Sequence, residues 1–295
     1  MKAVCKLCPH RCALEEGQLG MCQARYAKAG KVVSQNYGRI TALNLDPIEK
    51  KPLAMFFPGS MILSVGSYGC NLRCPFCQNS EISQAGFDDI RTEECLPKDL
   101  VQSALNLRSR GNIGVAFTYN EPLVGYEYVL DASRMLKDAG LKTVIVTNGM
   151  INRDPMEKLL PYVDAMNIDL KGFTQKFYDK CCGDLEAVKS TIALCQESCH
   201  VEVTFLVVPG MNDSLEEMDD LSNWLGSLNP DIVLHITRFF PSYRMQDAEP
   251  TDVELMKQMK TIAQTHLKHV FLGNVWQEIV EEYPTAHYNQ SGGMR

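Results

Sequence analysis

Three cysteines spaced C-x3-C-x2-C, namely Cys70, Cys74 and Cys77, follow closely on the apolar run Met61-Ile62-Leu63-Ser64-Val65. A cube of four irons normally takes four thiolates. A tight loop that supplies three holds the cube by three corners and leaves one iron open. An open position is how a metal site keeps room for a reacting partner, whereas a closed site is structural. The radical chemistry of S-adenosylmethionine (SAM) needs that vacancy: the open iron chelates the amino and carboxylate groups, and one electron passes to the sulfonium. On spacing alone, a three-cysteine zinc knuckle or a fragment of a redox motif accounts for the same residues.

A second group of thiols opens the chain: Cys5-x2-Cys8-Pro9-His10-x-Cys12, then Cys22 beyond Gly17 and Gly20. C-x2-C with return cysteines is typical metal spacing. Four thiols within eighteen residues suffice for a second site, which spacing leaves open between zinc and an iron–sulfur cluster. The plainer alternative is reduced cysteine packed as a small hydrophobe. With four thiols at hand, His10 reads as a supporting or exposed side chain.

The elements that must position these residues are regular after the Cys70 loop. Apolar runs of strand length, at 61–65, 114–117, 144–146, 165–168, 201–208 and 232–236, alternate with amphipathic stretches. Val129, Ala132, Leu136 and Ala139 fall at helical spacing, with Gly140 as the C-terminal cap. Ser214 with Glu217 reads as a capping box for a helix burying Met218, Leu221, Leu225 and Leu228. A last helix over about 252–267 would turn Leu255, Met259 and Ile262 inward. Solid apolar strands alternating with helices mean a parallel sheet covered by helices. Six βα units, with a short last strand at 270–272, are too few for a closed eight-stranded barrel and predict an open, partial (β/α)6 barrel. The expected organisation is a Cys-rich segment and connector over 1–58, the barrel over 59–275, and a tail over 276–295. Prolines at 47, 52 and 58 argue against helix in the connector, read as β-rich or irregular from Lys31 to about Gly59.

In parallel α/β architecture, chemistry collects on the loops after the C-terminal ends of strands. Polar residues stand there in every unit: the cysteine loop, Thr118-Tyr119-Asn120-Glu121-Pro122, Thr147-Asn148-Gly149, Asp169-Leu170-Lys171, the 208–213 loop and the 239–244 loop. Glu121 suits the ammonium of SAM as a charge-assisted partner, or simply sits at a helix N-terminus. Asp169 and Lys171, two apart, point to one side and suit the carboxylate or ribose, or form a plain ion pair. Asn148 stands beside Gly149, where backbone can approach a ligand. Phe76 is placed to stack on adenine or to cover a cluster. Gln78 and Asn120 complete the expected cofactor contacts. His235, inside an apolar run, reads as a satisfied core histidine. Cys181, Cys182, Cys195 and Cys199 read as structural thiols, and the acidic residues 216–220 as a solvated helix face.

The composition, 295 residues with 45% hydrophobic and 22% charged side chains, is that of an ordinary globular protein. No apolar run approaches the ~20 residues of a membrane span, and the N-terminus has no apolar signal core. Cytosolic residence is expected, and there twelve cysteines point to metal or redox chemistry rather than disulfides. A net charge of −7 gives no footprint for nucleic acid.

With these residues in place, the chain resembles radical SAM enzymes of the pyruvate formate-lyase activating type. Cys70/Cys74/Cys77 match the cluster motif, Asn120-Glu121 stands where that family has Gly-Gly-Glu, and Asp169-Leu170-Lys171 matches its Asp-x-Lys element. More narrowly, it resembles the AmmeMemoRadiSam system subgroup. That likeness rests on Asp46-Pro-Ile-Glu-Lys-Lys-Pro-Leu53, Pro58-Gly-Ser60, Gly69-Cys-Asn71, Cys77-Gln-Asn79, Thr118-Tyr-Asn-Glu-Pro122 and Cys5-x2-Cys8-Pro-His-x-Cys12. The resemblance implies a [4Fe–4S] cluster and reductive cleavage of SAM to methionine and a 5′-deoxyadenosyl radical that abstracts hydrogen from a substrate. It also implies an electron donor such as flavodoxin or ferredoxin, and Memo-like and AMMECR-type partner proteins. The chain departs from the pattern in carrying Val146 where the activating enzymes have aspartate and Tyr243 where they have histidine. The subgroup's C-terminal Cys-Pro-x-Cys-Gly is missing from residues 286–291. Two alternatives stand beside this reading: an activase whose substrate is a protein glycine, and an electron-transfer or metal-binding protein without SAM chemistry.

Overall fold

The computed structural model describes residues 2–275; the expected tail, 276–295, lies outside the described residues. Eight strands form one sheet whose spatial order is the chain order: β1 (Ala42–Pro47), β2 (Met61–Gly66), β3 (Asn112–Phe117), β4 (Lys142–Thr147), β5 (Ala165–Asp169), β6 (His200–Val207), β7 (Val233–Arg238) and β8 (His269–Gly273). From β2 to β8 every neighbouring pair is parallel, and β1 runs antiparallel to β2. An unbroken strand order with no pairing between β1 and β8 is the open barrel that the alternating runs predict. The solid apolar strands owe their pattern to burial on both faces.

The crossovers are helical: α1 (Pro97–Asn106), α2 (Tyr126–Asp138), α3 (Arg153–Leu159), α4 (Gln175–Lys180), α5 (Leu185–Cys195), α6 (Leu215–Leu228) and α7 (Val253–Ala263). Helix α2 ends as expected, with Gly140 at φ +65° just past its last turn. At α6 the capping box closes by half: Ser214 Oγ accepts from Glu217 N–H at 3.0 Å, but the Glu217 carboxylate accepts from Phe173 N–H at 2.6 Å instead. Tertiary contact thus takes the acid that local sequence assigns to the cap. Helix α6 buries Met218, Leu221 and Leu225 completely, whereas Leu228 is half-buried. In α7 the buried residues are Met256, Met259 and Ala263, and Leu255 and Ile262 are only half-buried, so its inward stripe is rotated from the expected one.

The connector contributes more than a linker. Its edge strand β1 was hidden in an irregular, half-polar pattern, as an edge partner with one exposed side allows. A single 3-10 turn, Ile48–Lys50, follows Pro47. Ahead of it, the hairpin Arg25–Lys28/Lys31–Ser34 and the short ladder Ala3–Val4/Ala13–Leu14 frame the N-terminal cysteines. His235 is the satisfied core histidine expected, bonded through Nε2 to Glu202 at 2.6 Å and stacked on Phe271.

Candidate active site

The loops at the C-terminal ends of β2 to β7 enclose a cavity of about 370 Å3. Its wall carries Cys70, Cys74, Cys77, Phe76, Gln78, Asn120, Glu121, Asn148, Asp169 and Lys171, so the expected catalytic and cofactor residues meet in one place. The three thiols sit where β2 gives way to the turn before the helical Ser80–Ser83. Donors are aimed at their sulfurs: Leu72 N–H stands 3.3 Å and Asn148 Nδ2 3.6 Å from Cys70 Sγ, and Ser83 Oγ stands 3.1 Å from Cys77 Sγ. Such donors stabilise thiolates rather than thiols. Burial pushes the Cys70 and Cys77 thiols up, so a metal that binds them must displace their protons. Among the described residues no three His, Cys, Asp or Glu side chains converge on a single ion. The thiolates of a four-iron cube bind different irons, so the trio fits that group.

Glu121 is buried at the end of β3. One carboxylate oxygen accepts from Leu123 N–H (3.0 Å) and Thr147 Oγ1 (2.8 Å), the other from Asn148 N–H (2.8 Å). It therefore caps the turn after it and ties β3 to β4, while still facing the cavity. Burial raises its carboxyl to about 7 despite these bonds. At the end of β5, Lys171 Nζ lies 3.0 Å from Asp169 Oδ2. Burial opposes the lysine charge, but the aspartate holds it protonated above its ordinary range. Phe76 is buried against Phe177 with centroids 5.9 Å apart, and Gln78 is exposed at the rim. Asn120 lines the cavity, but its amide is committed to backbone: Oδ1 accepts from Ser67 N–H and Nδ2 donates to the carbonyls of Tyr68, Gly69 and Glu121. It acts first as a clamp on the loop.

Sequence reasoning gave no role to the wall residues Asn167, Thr204 and Thr237. Thr237 Oγ1, from β7, is buried without a partner and lines the cavity, a polar atom left for a ligand. Asn167 and Thr204 bond each other at 3.0 Å between the neighbouring strands β5 and β6. Tyr119, held at φ +72°, donates its hydroxyl to Asp46, which also receives the buried Lys51 ammonium at 2.8 Å. Burial pushes Asp46 up, but these partners hold it at about 2. Cys181, read as a structural thiol, is completely buried beside Cys74 and, with burial, pushes the Cys74 thiol up. It does not line the cavity, which leaves three thiols facing in. Val146 lines the wall where the activating enzymes have aspartate. The loop with Tyr243 and Arg244 docks on the cysteine turn, Arg244 N–H donating to Pro75 C=O at 3.0 Å.

The four N-terminal thiols gather separately. Cys5, Cys8, Cys12 and Cys22 line a small apolar cavity of about 20 Å3 with Arg25, Asn71 and Met150.

A seven-strand parallel sheet with a three-thiol turn after its first strand and carboxylates in its cavity defines an open α/β barrel, and comparison with known proteins gives its class. Residues 64–224 match the Radical SAM superfamily, and the chain belongs to it. Family membership implies a [4Fe–4S] cluster and SAM. The chain is 38% identical to an uncharacterised protein of Methanocaldococcus jannaschii over 93% of this chain and 82% of that one. It is 27% identical to the pyruvate formate-lyase-activating enzyme of Clostridium pasteurianum over 65% of this chain and 85% of that one. Among solved structures, Streptococcus suis SuiB bound to S-adenosylmethionine superposes with TM-score 0.57 at 14% identity, covering 77% of this chain and 55% of that one. Among the described residues no helix is long and apolar enough to cross a membrane.

Proposed function

We propose that this chain reductively cleaves SAM, with Cys70, Cys74 and Cys77 holding a [4Fe–4S] cluster by three irons. When bound, the cluster supplies the single electron that divides SAM into methionine and a 5′-deoxyadenosyl radical, which takes a hydrogen atom from the substrate. The rest is done by the chain's own groups. Glu121 uses three of its acceptor positions to fix itself and turns the remainder toward the ammonium of the methionine moiety. The Asp169–Lys171 pair offers a cation to the carboxylate and an acceptor to the ribose. Phe76 covers the cluster side of the cavity and packs against adenine, with Gln78 and Asn120 at the rim. Thr237 Oγ1 awaits a hydrogen bond from deeper in the barrel. The observation that carries the reading is the meeting of three thiols, Glu121, Asn148, Asp169 and Lys171 in one cavity.

Motif likeness favours the AmmeMemoRadiSam system subgroup, acting with Memo-like and AMMECR-type partners in the cytosol and fed by a flavodoxin or ferredoxin. In this organisation residues 1–58 and the 239–244 loop frame the substrate around the barrel of 59–275. Cys5, Cys8, Cys12 and Cys22 hold a second metal centre, zinc or iron–sulfur. The identity to activating enzymes favours a second reading, in which the substrate is a glycine of a protein partner. Reconstituted, dithionite-reduced protein incubated with SAM tests the first: it should release 5′-deoxyadenosine, and a chain that releases none is an electron-transfer protein. A stable glycyl-radical signal on mixing with a partner would support the second.

A further inference from the structure

The N-terminal thiol cage stands back to back with the catalytic turn. Cys70 N–H donates to Cys22 C=O at 3.2 Å, so one hydrogen bond joins a cysteine of each group. Asn71 bridges them a second time. Its Oδ1 accepts from Asn148 Nδ2 at 2.9 Å, the same nitrogen that points at Cys70 Sγ, and its own Nδ2 donates to Met150 C=O at 2.6 Å on the wall of the cage. His10 Nε2 reaches Asn71 C=O at 2.8 Å, and the Arg73 guanidinium reaches Met21 C=O.

The cage itself has an unanswered donor. Arg25 is 6% exposed and lines the cavity. Its two terminal nitrogens take Glu127 at 2.7 Å each, and one of them also takes Val124 C=O at 3.1 Å. Its Nε is buried with no partner. A buried N–H is rarely left unpaired, and thiolate or sulfide acceptors in the cage would answer it. Leu7, Leu14, Leu123, Val124 and Ile151 wall the cage from water, and burial and hydrogen bonds to sulfur are what set a cluster's potential. The cage also has two sides. Cys5 and Cys22 are buried toward the barrel, whereas Cys8 and Cys12 are half-exposed beside the exposed cations Lys6 and Arg11.

We propose that Cys5, Cys8, Cys12 and Cys22 hold a redox-active iron–sulfur cluster that relays electrons from a protein donor at the Lys6/Arg11 face to the catalytic cluster through Cys22–Cys70 and Asn71. This rests on the reading of those four cysteines as ligands and of Cys70, Cys74 and Cys77 as the catalytic trio. The step is a one-electron transfer: a reduced flavodoxin or ferredoxin loses one electron, the N-terminal cluster carries it, and the catalytic cluster gains it. Zinc, which has no redox chemistry, would serve the same cage only as a staple.

The test is anaerobic reconstitution of the full chain and of a Cys8→Ala/Cys12→Ala variant, with metal content and SAM cleavage measured under two reductants. Wild type should hold about eight irons, given four per cube, and the variant fewer. The ratio of flavodoxin-driven to dithionite-driven 5′-deoxyadenosine release should fall at least tenfold in the variant. Equal metal content in the two proteins would refute the ligands. Loss of iron with an unchanged ratio would refute the relay alone, and about four irons with one zinc in wild type would refute the cluster. Paramagnetic resonance of fully reduced wild type needs no variant: spin coupling between two clusters supports the proposal, and two uncoupled signals overturn it.

Discussion

Asn148 Nδ2 lies 3.6 Å from Cys70 Sγ while its backbone N–H donates to Glu121, so one residue orients both the Cys70 thiol and the carboxylate that we propose faces SAM. Groups that hold metal ligands in place typically matter about ten- to hundredfold in metal affinity or activity. Asn148→Ala should slow 5′-deoxyadenosine release by about that factor and shift the potential of the catalytic cluster. A kinetic loss with the potential unmoved would assign Asn148 to SAM contact instead.

Glu121→Gln separates capping from binding. Glutamine keeps one acceptor oxygen for Thr147 and Leu123 but loses the charge and turns an amide toward Asn148 N–H. A hydrogen bond to a charged group contributes about 1.5–3 kcal/mol, so the dissociation constant for SAM, read by resonance titration, should rise about ten- to hundredfold. An unchanged constant would leave Glu121 as a helix-cap residue only.

Gly69 holds φ +86°, and a Cβ there would fall 2.5 Å from Cys22 C=O and 2.8 Å from Ala24 Cβ. Only glycine lets the catalytic turn close against the N-terminal cage. Gly69→Ala should destabilise by about 1–3 kcal/mol and lower the iron retained after reconstitution, checked by calorimetry and metal analysis.

Glu202 sits buried in β6 and accepts from Ala54 N–H, Met55 N–H, His200 Nε2 and His235 Nε2, all at 2.6–2.8 Å. Burial pushes its carboxyl up, but the two histidines and the backbone outweigh it and hold it at about 2 against an ordinary 4.5. A depressed folded value means stabilisation that is complete above pH 4.5 and lost as pH falls toward 2, about 3 kcal/mol in all. Glu202→Gln should flatten that acid limb in equilibrium unfolding at pH 2–5. An unchanged limb would remove the network from the account.

The barrel and its cavity could be read from the chain because both leave dense local signals: solid apolar strands, a cysteine turn after the first, and polar residues at each strand end. What escaped depends on partners distant in sequence. Edge strand β1 pairs on one side only and keeps a mixed pattern. The Glu217 carboxylate bonds Phe173 N–H rather than its own cap. Cys181 meets Cys74 only because the end of α4 packs on the cysteine turn, Arg73 N–H donating to Cys181 C=O at 2.8 Å. Asn71 is legible in one dimension only as part of the Gly69-Cys-Asn71 motif; its place between two cysteine groups that the sequence separates by almost fifty residues is set by the fold.

The most direct measurement is the paramagnetic resonance of air-free, dithionite-reduced protein before and after adding SAM, alongside the 5′-deoxyadenosine released. With three thiols at the cavity and a fourth corner free, the spectrum should shift on SAM addition and deoxyadenosine should accumulate. An unaltered spectrum with no deoxyadenosine would contradict an open iron at Cys70, Cys74 and Cys77, and with it the enzyme.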